Sequence, residues 1–217
     1  MTPIAALDGI EVRLGRLPVL RGVDFMVSPG EAVGVVGPNG SGKTTLLRVL
    51  ATLLRPGGGS GTVLGAPLGT DQVRRVRRRI GLAGHQPALW NELTLRENLM
   101  AIARLSGLGE TAADDALYRV GLTGAGGRSA GRSSHGMRRR VDLARLLLTR
   151  PRLVLLDEAA AGLDRSARLL VDAVVAEALG SGGGAVLVSH DAEHLGAAVT
   201  RVVEIEDGGM RVSGGRR

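Results

Sequence analysis

Two rhythms of hydrophobic positions run along this chain. Residues 4–12 and 19–27 alternate apolar and polar positions on either side of a Gly15-Arg16 turn, which predicts an antiparallel pair of strands at the start. Residues 31–36 are short and nearly continuously apolar, as expected of a strand covered on both faces. Leu46, Leu47, Leu50, Leu53 and Leu54 then recur at helical spacing and predict a helix over 43–54. Pro56 and the glycines that follow it end that helix, and 62–64 predicts a short strand. A basic helical segment at 74–79, with a solvated face, precedes a strand at 80–83.

From Thr94 to about residue 120 the pattern is helical and holds no strand; Thr94 followed by Glu97 has the form of a capping box. A Gly- and Ser-rich loop at 121–134 leads to a helix over 137–149, which Arg150-Pro151 stops. Strands at 153–156, 185–189, 202–205 and 210–212 and a helix at 165–179 complete the series. Alternating strands and helices predict an α/β fold with a parallel-rich sheet. We expect a single domain over 1–217. Its core, carrying an antiparallel N-terminal β subdomain, spans 1–86 and 137–217, and a helical insertion spans 87–136.

Composition narrows this picture. Hydrophobic residues make up 44% of the 217 positions but aromatics only 1%, so the core must be built from aliphatic side chains and alanine. The aromatic residues are Phe25, Trp90 and Tyr118. The absence of cysteine excludes disulfide and thiol chemistry and suits the cytosol. The N-terminus has no signal pattern, and no apolar run approaches the ~20 residues of a membrane helix. The net charge of +7 comes from an arginine-rich composition rather than from a nucleic-acid-binding pattern, since no stacking aromatics accompany the basic residues. No specific nucleic-acid partner is expected.

Of the 28 Lys and Arg residues, lysine occurs only at Lys43, within Gly37-Pro38-Asn39-Gly40-Ser41-Gly42-Lys43-Thr44-Thr45. This stretch follows an apolar strand and fits the phosphate-cradling loop of P-loop nucleotidases. Its glycines let successive N–H groups turn toward phosphate oxygens. A compact ammonium reaches the β- and γ-phosphates where a planar guanidinium is too broad. The Thr44 hydroxyl is a candidate Mg²⁺ ligand, and the helix that follows directs the positive end of its dipole at the anion. Further on, the strand at 153–156 ends in Asp157-Glu158. Asp157 is a candidate for holding Mg²⁺ through its water shell, and Glu158 for orienting and deprotonating the attacking water.

With these two motifs in place, the chain resembles an ATP-binding-cassette ATPase, the nucleotide-binding subunit of an ABC transporter, over about residues 4–210. Further elements of that family follow in its order. Gln86, one of two glutamines in the chain, matches the glutamine loop that senses the γ-phosphate and the metal. Ser134, His135, Gly136 and Met137 occupy the signature position. Asp164, in Ala161-Gly162-Leu163-Asp164, matches the D-loop, and His190 after Ser189 matches the switch histidine. The resemblance implies a homodimer or heterodimer of ATPase subunits packed head to tail, with ATP and Mg²⁺ held between the loop of one and the signature of the other. It implies an integral membrane permease as partner and a cytoplasmic site, peripheral on the inner face of the cell membrane.

Departures from the family pattern fall at four places. His135 and Met137 stand where the signature usually has Gly and Gln. Leu14 stands where an aromatic commonly stacks on adenine, which implies modest ATP affinity and poor discrimination against GTP. Ala159 replaces a proline after Glu158. No residue that handles phosphate, Mg²⁺ or water is missing, so the resemblance implies an active ATPase. The stretch 84–99 is similar to exporter-type cassettes, among them the haem-exporter ATPase of cytochrome c maturation. General efflux or lipid exporters stay open, as does a soluble assembly ATPase for iron–sulfur clusters. Trp90 lies just past the glutamine loop, where the family receives its membrane subunit; ordinary packing of the helical subdomain would also account for it.

Overall fold

A computed structural model describes residues 2–158, 165–190, 195 and 199–211. The chain opens with β1 (Ala5–Leu14) and β2 (Leu17–Val27), joined by a tight turn at Gly15-Arg16 and paired antiparallel. After β3 (Ala32–Val36) and helix α1 (Lys43–Leu50) come β4 (Gly58–Val63) and β5 (Ala66–Pro67). These complete an antiparallel sheet in the order β2-β1-β4-β5. Helix α2 (Val73–Val76) and a 3₁₀ turn over Arg77–Arg79 precede β6 (Ile80–Ala83).

Helices α3 (Leu95–Leu105), α4 (Thr111–Arg119) and α5 (His135–Thr149) follow without an intervening strand. The chain then alternates through β7 (Leu153–Asp157), α6 (Arg165–Gly180), β8 (Gly184–Val188), β9 (Arg201–Glu206) and β10 (Gly209–Arg211). The second sheet has the order β10-β9-β3-β8-β7-β6, parallel from β9 to β6, with β10 antiparallel to β9. This is the α/β class with a parallel-rich sheet and an antiparallel β subdomain that the hydrophobic pattern predicts.

The central strands are buried on both faces, and their period of two divides the core. Val33, Val35, Leu153, Leu155, Val186 and Val188 pack toward α1 and the antiparallel sheet, against Leu46, Leu50, Val23 and Val27. Their neighbours Val154, Leu156, Ala185 and Leu187 face the other way, into a cluster with Val141, Ala144 and Leu148 of α5 and Val171 and Val175 of α6. Each buried Val or Leu contributes about 1.5–3 kcal/mol relative to exposure. This aliphatic core therefore dispenses with aromatics other than Phe25, which is buried in the first cluster. Helices α3 and α4 extend the second cluster through Leu99, Ala103, Ala113 and Leu117.

Several boundaries differ from the sequence reading. Helix α1 ends at Leu50 rather than at 54, because Thr52 takes a left-handed φ of 58° and the amides of Leu53 and Leu54 both turn back to the Arg48 carbonyl. Leu53 is left exposed. Strand β4 starts at Gly58, inside the glycine run, because β1 offers it a ladder in which Ser60 faces Asp8 and Gly58 faces Glu11. The helical stretch after Thr94 is two helices, broken at Gly107, whose φ is 72°. Helix α5 begins at His135, two residues before the predicted start.

Candidate active site

Strand β3 delivers the chain into the loop at 37–42, and α1 carries it away. Two glycines there are required by geometry. A Cβ on Gly37, at φ 150°, would lie 2.1 Å from the Ile205 carbonyl oxygen, and one on Gly42, at φ 111°, would lie 2.8 Å from Leu20 Cδ2. Gly42 is also the N-cap of α1, which has no side-chain cap and no acidic residue in its first turn. The first amides of a helix have no intrahelical partner, so this positive end is left open to an outside anion.

Lys43 is 7% exposed, and its Nζ donates to the carbonyls of Gly37 at 2.7 Å and Pro38 at 2.9 Å. Among the described residues no carboxylate pairs with it. A buried ammonium held only by carbonyls, beside an uncapped helix start, is a site built for an anion. The buried Ser41 Oγ likewise has no hydrogen-bond partner among the described residues. Asn39, Gly40, Gly42, Lys43, Thr44 and Thr45 line a hollow of about 330 Å³ with Leu14, Val19, Asp157 and Glu158.

Asp157 ends β7 and is buried, and its Oδ2 accepts the Thr44 hydroxyl at 2.8 Å. Two hard oxygens beside a phosphate cradle fit Mg²⁺, which takes one or two protein ligands and completes its shell with phosphate and water. Glu158 follows with a left-handed φ of 51°, and its amide donates to the Val188 carbonyl at 3.0 Å. That turn leaves the side chain at the rim of the hollow, where Oε1 lies 3.0 Å from His190 Nδ1.

The other candidates stand apart from this group. Gln86 is exposed beyond the end of β6 and does not line the hollow. Ser134 is the N-cap of α5, its Oγ accepting the Met137 amide at 3.3 Å; His135 and Gly136 form the exposed first turn. None of the four residues 134–137 lines the hollow of its own chain. Leu14 does line it, from the last position of β1, and is 46% exposed. Asp164, like Ala159, lies outside the described residues.

Two features escaped the sequence reading. Arg139 and Asp142 of α5 are buried, at 2% and 0% exposure, although a run of charged residues on a helix suggests a solvated face. The available signal was the spacing of Arg139, Asp142 and Arg145 by three, which stacks opposite charges on one face. Asn98, on the inner face of α3, is also buried. Its amide exchanges hydrogen bonds with the backbone of Trp90, accepting from N at 2.8 Å and donating to O at 3.0 Å. Trp90, whose backbone it anchors, is 49% exposed.

A model of the family described as ABC transporter matches residues 20–161. The chain is 40% identical over 212 residues to the daunorubicin resistance ATP-binding protein DrrA3 of Streptomyces coeruleorubidus, covering 96% of this chain and 67% of that protein. It is 34% identical over 212 residues to the Nod factor export ATP-binding protein I of Burkholderia lata, covering 95% of this chain and 69% of that one. The chain spans 60% to 67% of the length of the drug-resistance relatives it matches. A solved structure of the ATP-binding subunit of an ABC transporter superposes with a TM-score of 0.88 at 26% identity, over 98% of this chain and 90% of that one.

Proposed function

The chain belongs to the ABC transporter family, and from that premise we propose that it is the ATP-hydrolysing subunit of a membrane exporter. The observation that carries this reading is the buried, carboxylate-free Lys43 ammonium at the uncapped start of α1. In the reaction the loop at 37–45 holds the phosphates of ATP, with Lys43 exchanging its carbonyl partners for phosphate oxygens. Thr44 and Asp157 would hold Mg²⁺, which when bound would supply positive charge to the phosphate oxygens. Glu158 orients a water and accepts its proton as the water oxygen attacks the γ-phosphorus. The bond from that phosphorus to the β–γ bridging oxygen breaks, and its electron pair leaves with ADP. His190 holds the Glu158 carboxylate in place, and Gln86, which does not line the hollow of the single chain, would have to move in to reach the γ-phosphate and metal. Positioning and charge neutralisation provide most of the acceleration in such a transfer.

Ser134 and the first turn of α5 do not line the hollow of their own chain, which supports a role in a second copy. Two chains pack head to tail, so that Ser134 and the α5 dipole of one complete the ATP site of the other. The helical stretch 87–136 is the part that moves against the core as the pair closes. Trp90, held by Asn98 with its ring outward, is suited to receive the permease. Through that permease the chain sits on the inner face of the cell membrane. Among the described residues no helix is long and apolar enough to cross a membrane.

For the cargo, the drug-resistance and Nod factor export relatives favour an exporter of small molecules. Neither relative described above is a haem exporter, and the haem reading has no support from them. The test is to express tagged Glu158→Gln in its native host, solubilise membranes with MgATP and identify what co-purifies. A multi-span membrane protein is the expected partner. Soluble partners alone would instead indicate an assembly ATPase.

A further inference from the structure

Arg139, Asp142 and Arg145 form an ionic triad on the inner face of α5, outside the hollow. Asp142 Oδ1 accepts from Arg145 at 3.2 Å (Nε) and 2.9 Å (Nη2), and its Oδ2 lies 3.5 Å from Arg139 Nη1. Both guanidinium groups also reach off the helix. Arg145 Nη2 donates to the Leu82 carbonyl at 2.7 Å, and Arg139 Nη1 to the Gly84 carbonyl at 2.6 Å.

Strand β6 is the edge of the six-stranded sheet, so carbonyls on its outer side have no further strand to bond. The two arginines of α5 supply those donors at Leu82 and, one residue past the end of the strand, at Gly84. Apolar residues would hold a helix against a sheet at least as firmly, and a buried ion pair is a weak source of net stability. What directed charge-assisted bonds add is a fixed register between two elements. Here one element leads through Gly84 and His85 to Gln86, and the other is capped by Ser134.

We infer that Arg139 is a positioning residue for ATP hydrolysis: through the Gly84 carbonyl it sets where Gln86 stands, and it ties that segment to the Ser134 end of α5. The inference rests on the reading of Gln86 as the residue that reaches the γ-phosphate and metal. Burial lowers the Arg139 pKa from its ordinary value, while Asp142 and then Asp157 act to raise it. Arginine stays charged nonetheless. The link between α5 and the glutamine segment therefore carries a permanent cation.

The test compares Arg139→Met, which loses both charge and donor, with Arg139→Gln, which keeps a donor for Gly84. Each is made alone and with Gln86→Ala, and kcat, KM and MgADP affinity are measured. Arg139→Met is expected to lower kcat about tenfold to a hundredfold, the scale of a small misplacement at a reacting centre. MgADP affinity should stay within about twofold, Arg139→Gln should recover most of kcat, and with Gln86→Ala present Arg139→Met should cost no more than about another twofold. Losses of kcat that multiply with those of Gln86→Ala, or a parallel loss of MgADP affinity, would overturn the inference and leave the ATPase reading standing. Wild-type protein that hydrolyses no MgATP would overturn both. Should Arg139→Met not fold, Arg139→Gln decides. With kcat near wild type, or lowered only where Gln86 is intact, it upholds the inference; an independent loss overturns it.

Discussion

His190 Nδ1 stands 3.0 Å from Glu158 Oε1, joining the residue just past β7 to one two positions past the neighbouring strand β8. The left-handed turn at Glu158 makes this meeting possible by bringing its side chain to the rim of the hollow. Removing the carboxylate removes the proton acceptor. Glu158→Gln should therefore lower ATP turnover by about 10²–10⁴-fold while MgATP still binds. His190→Ala should lower it as well, and the double variant should be no slower than Glu158→Gln by more than about twofold. Steady-state turnover with a nucleotide-binding titration checks both, and independent, multiplying losses would count against a shared role.

Leu14 lines the hollow, and if the base lies against it the wall there is aliphatic, with no ring. Leu14→Tyr should tighten ATP binding by about 1–3 kcal/mol, the value of an aromatic stacked on a base. A calorimetric titration that finds equal affinities would place the base elsewhere than beside Leu14. Wild-type protein is expected to bind GTP and ATP with similar affinity.

The capping box at the start of α3 is complete. The Thr94 hydroxyl accepts the Glu97 amide at 3.1 Å, and Glu97 accepts the Thr94 amide at 2.8 Å. Thr94→Ala should cost about 0.5–2 kcal/mol, read as a lower urea midpoint at unchanged slope.

Acid should loosen the α3–α4 pair. The Thr94 backbone amide, and then its hydroxyl, lower the Glu97 pKa; Arg104 lowers that of Glu110 and Arg96 that of Asp114. A carboxyl lowered in the folded state stabilises above its unfolded-state pKa, and that stabilisation is lost as the pH falls through the folded value. Amides of α3 and α4 should therefore lose exchange protection between about pH 5 and pH 3. Because all three groups are exposed, added salt should shrink the two arginine contributions. Unchanged protection over that range would contradict the assignment.

Local features set by short-range chemistry were legible in the sequence. The loop around Lys43, the Asp157-Glu158 strand end and the Thr94–Glu97 box each sit where their spacing predicts. Positions decided by tertiary partners were not. Thr52 ends α1 early through its own left-handed turn, and β4 pairs through a glycine run only because β1 is there to receive it. The burial of Arg139 and Asp142 on α5 depends on the open edge of β6, which supplies acceptors for Arg139 and Arg145. The role proposed for Ser134 needs a second copy, so one chain's pattern could indicate it only by resemblance.

The most direct test of the central claim, that the Lys43 hollow holds MgATP and closes only against a second copy, is the molar mass of Glu158→Gln by light scattering. With MgATP the mass should double, and it should remain that of one chain with EDTA or when Lys43→Ala is added. A single-chain mass at saturating MgATP, or a doubled mass without nucleotide, would contradict the account.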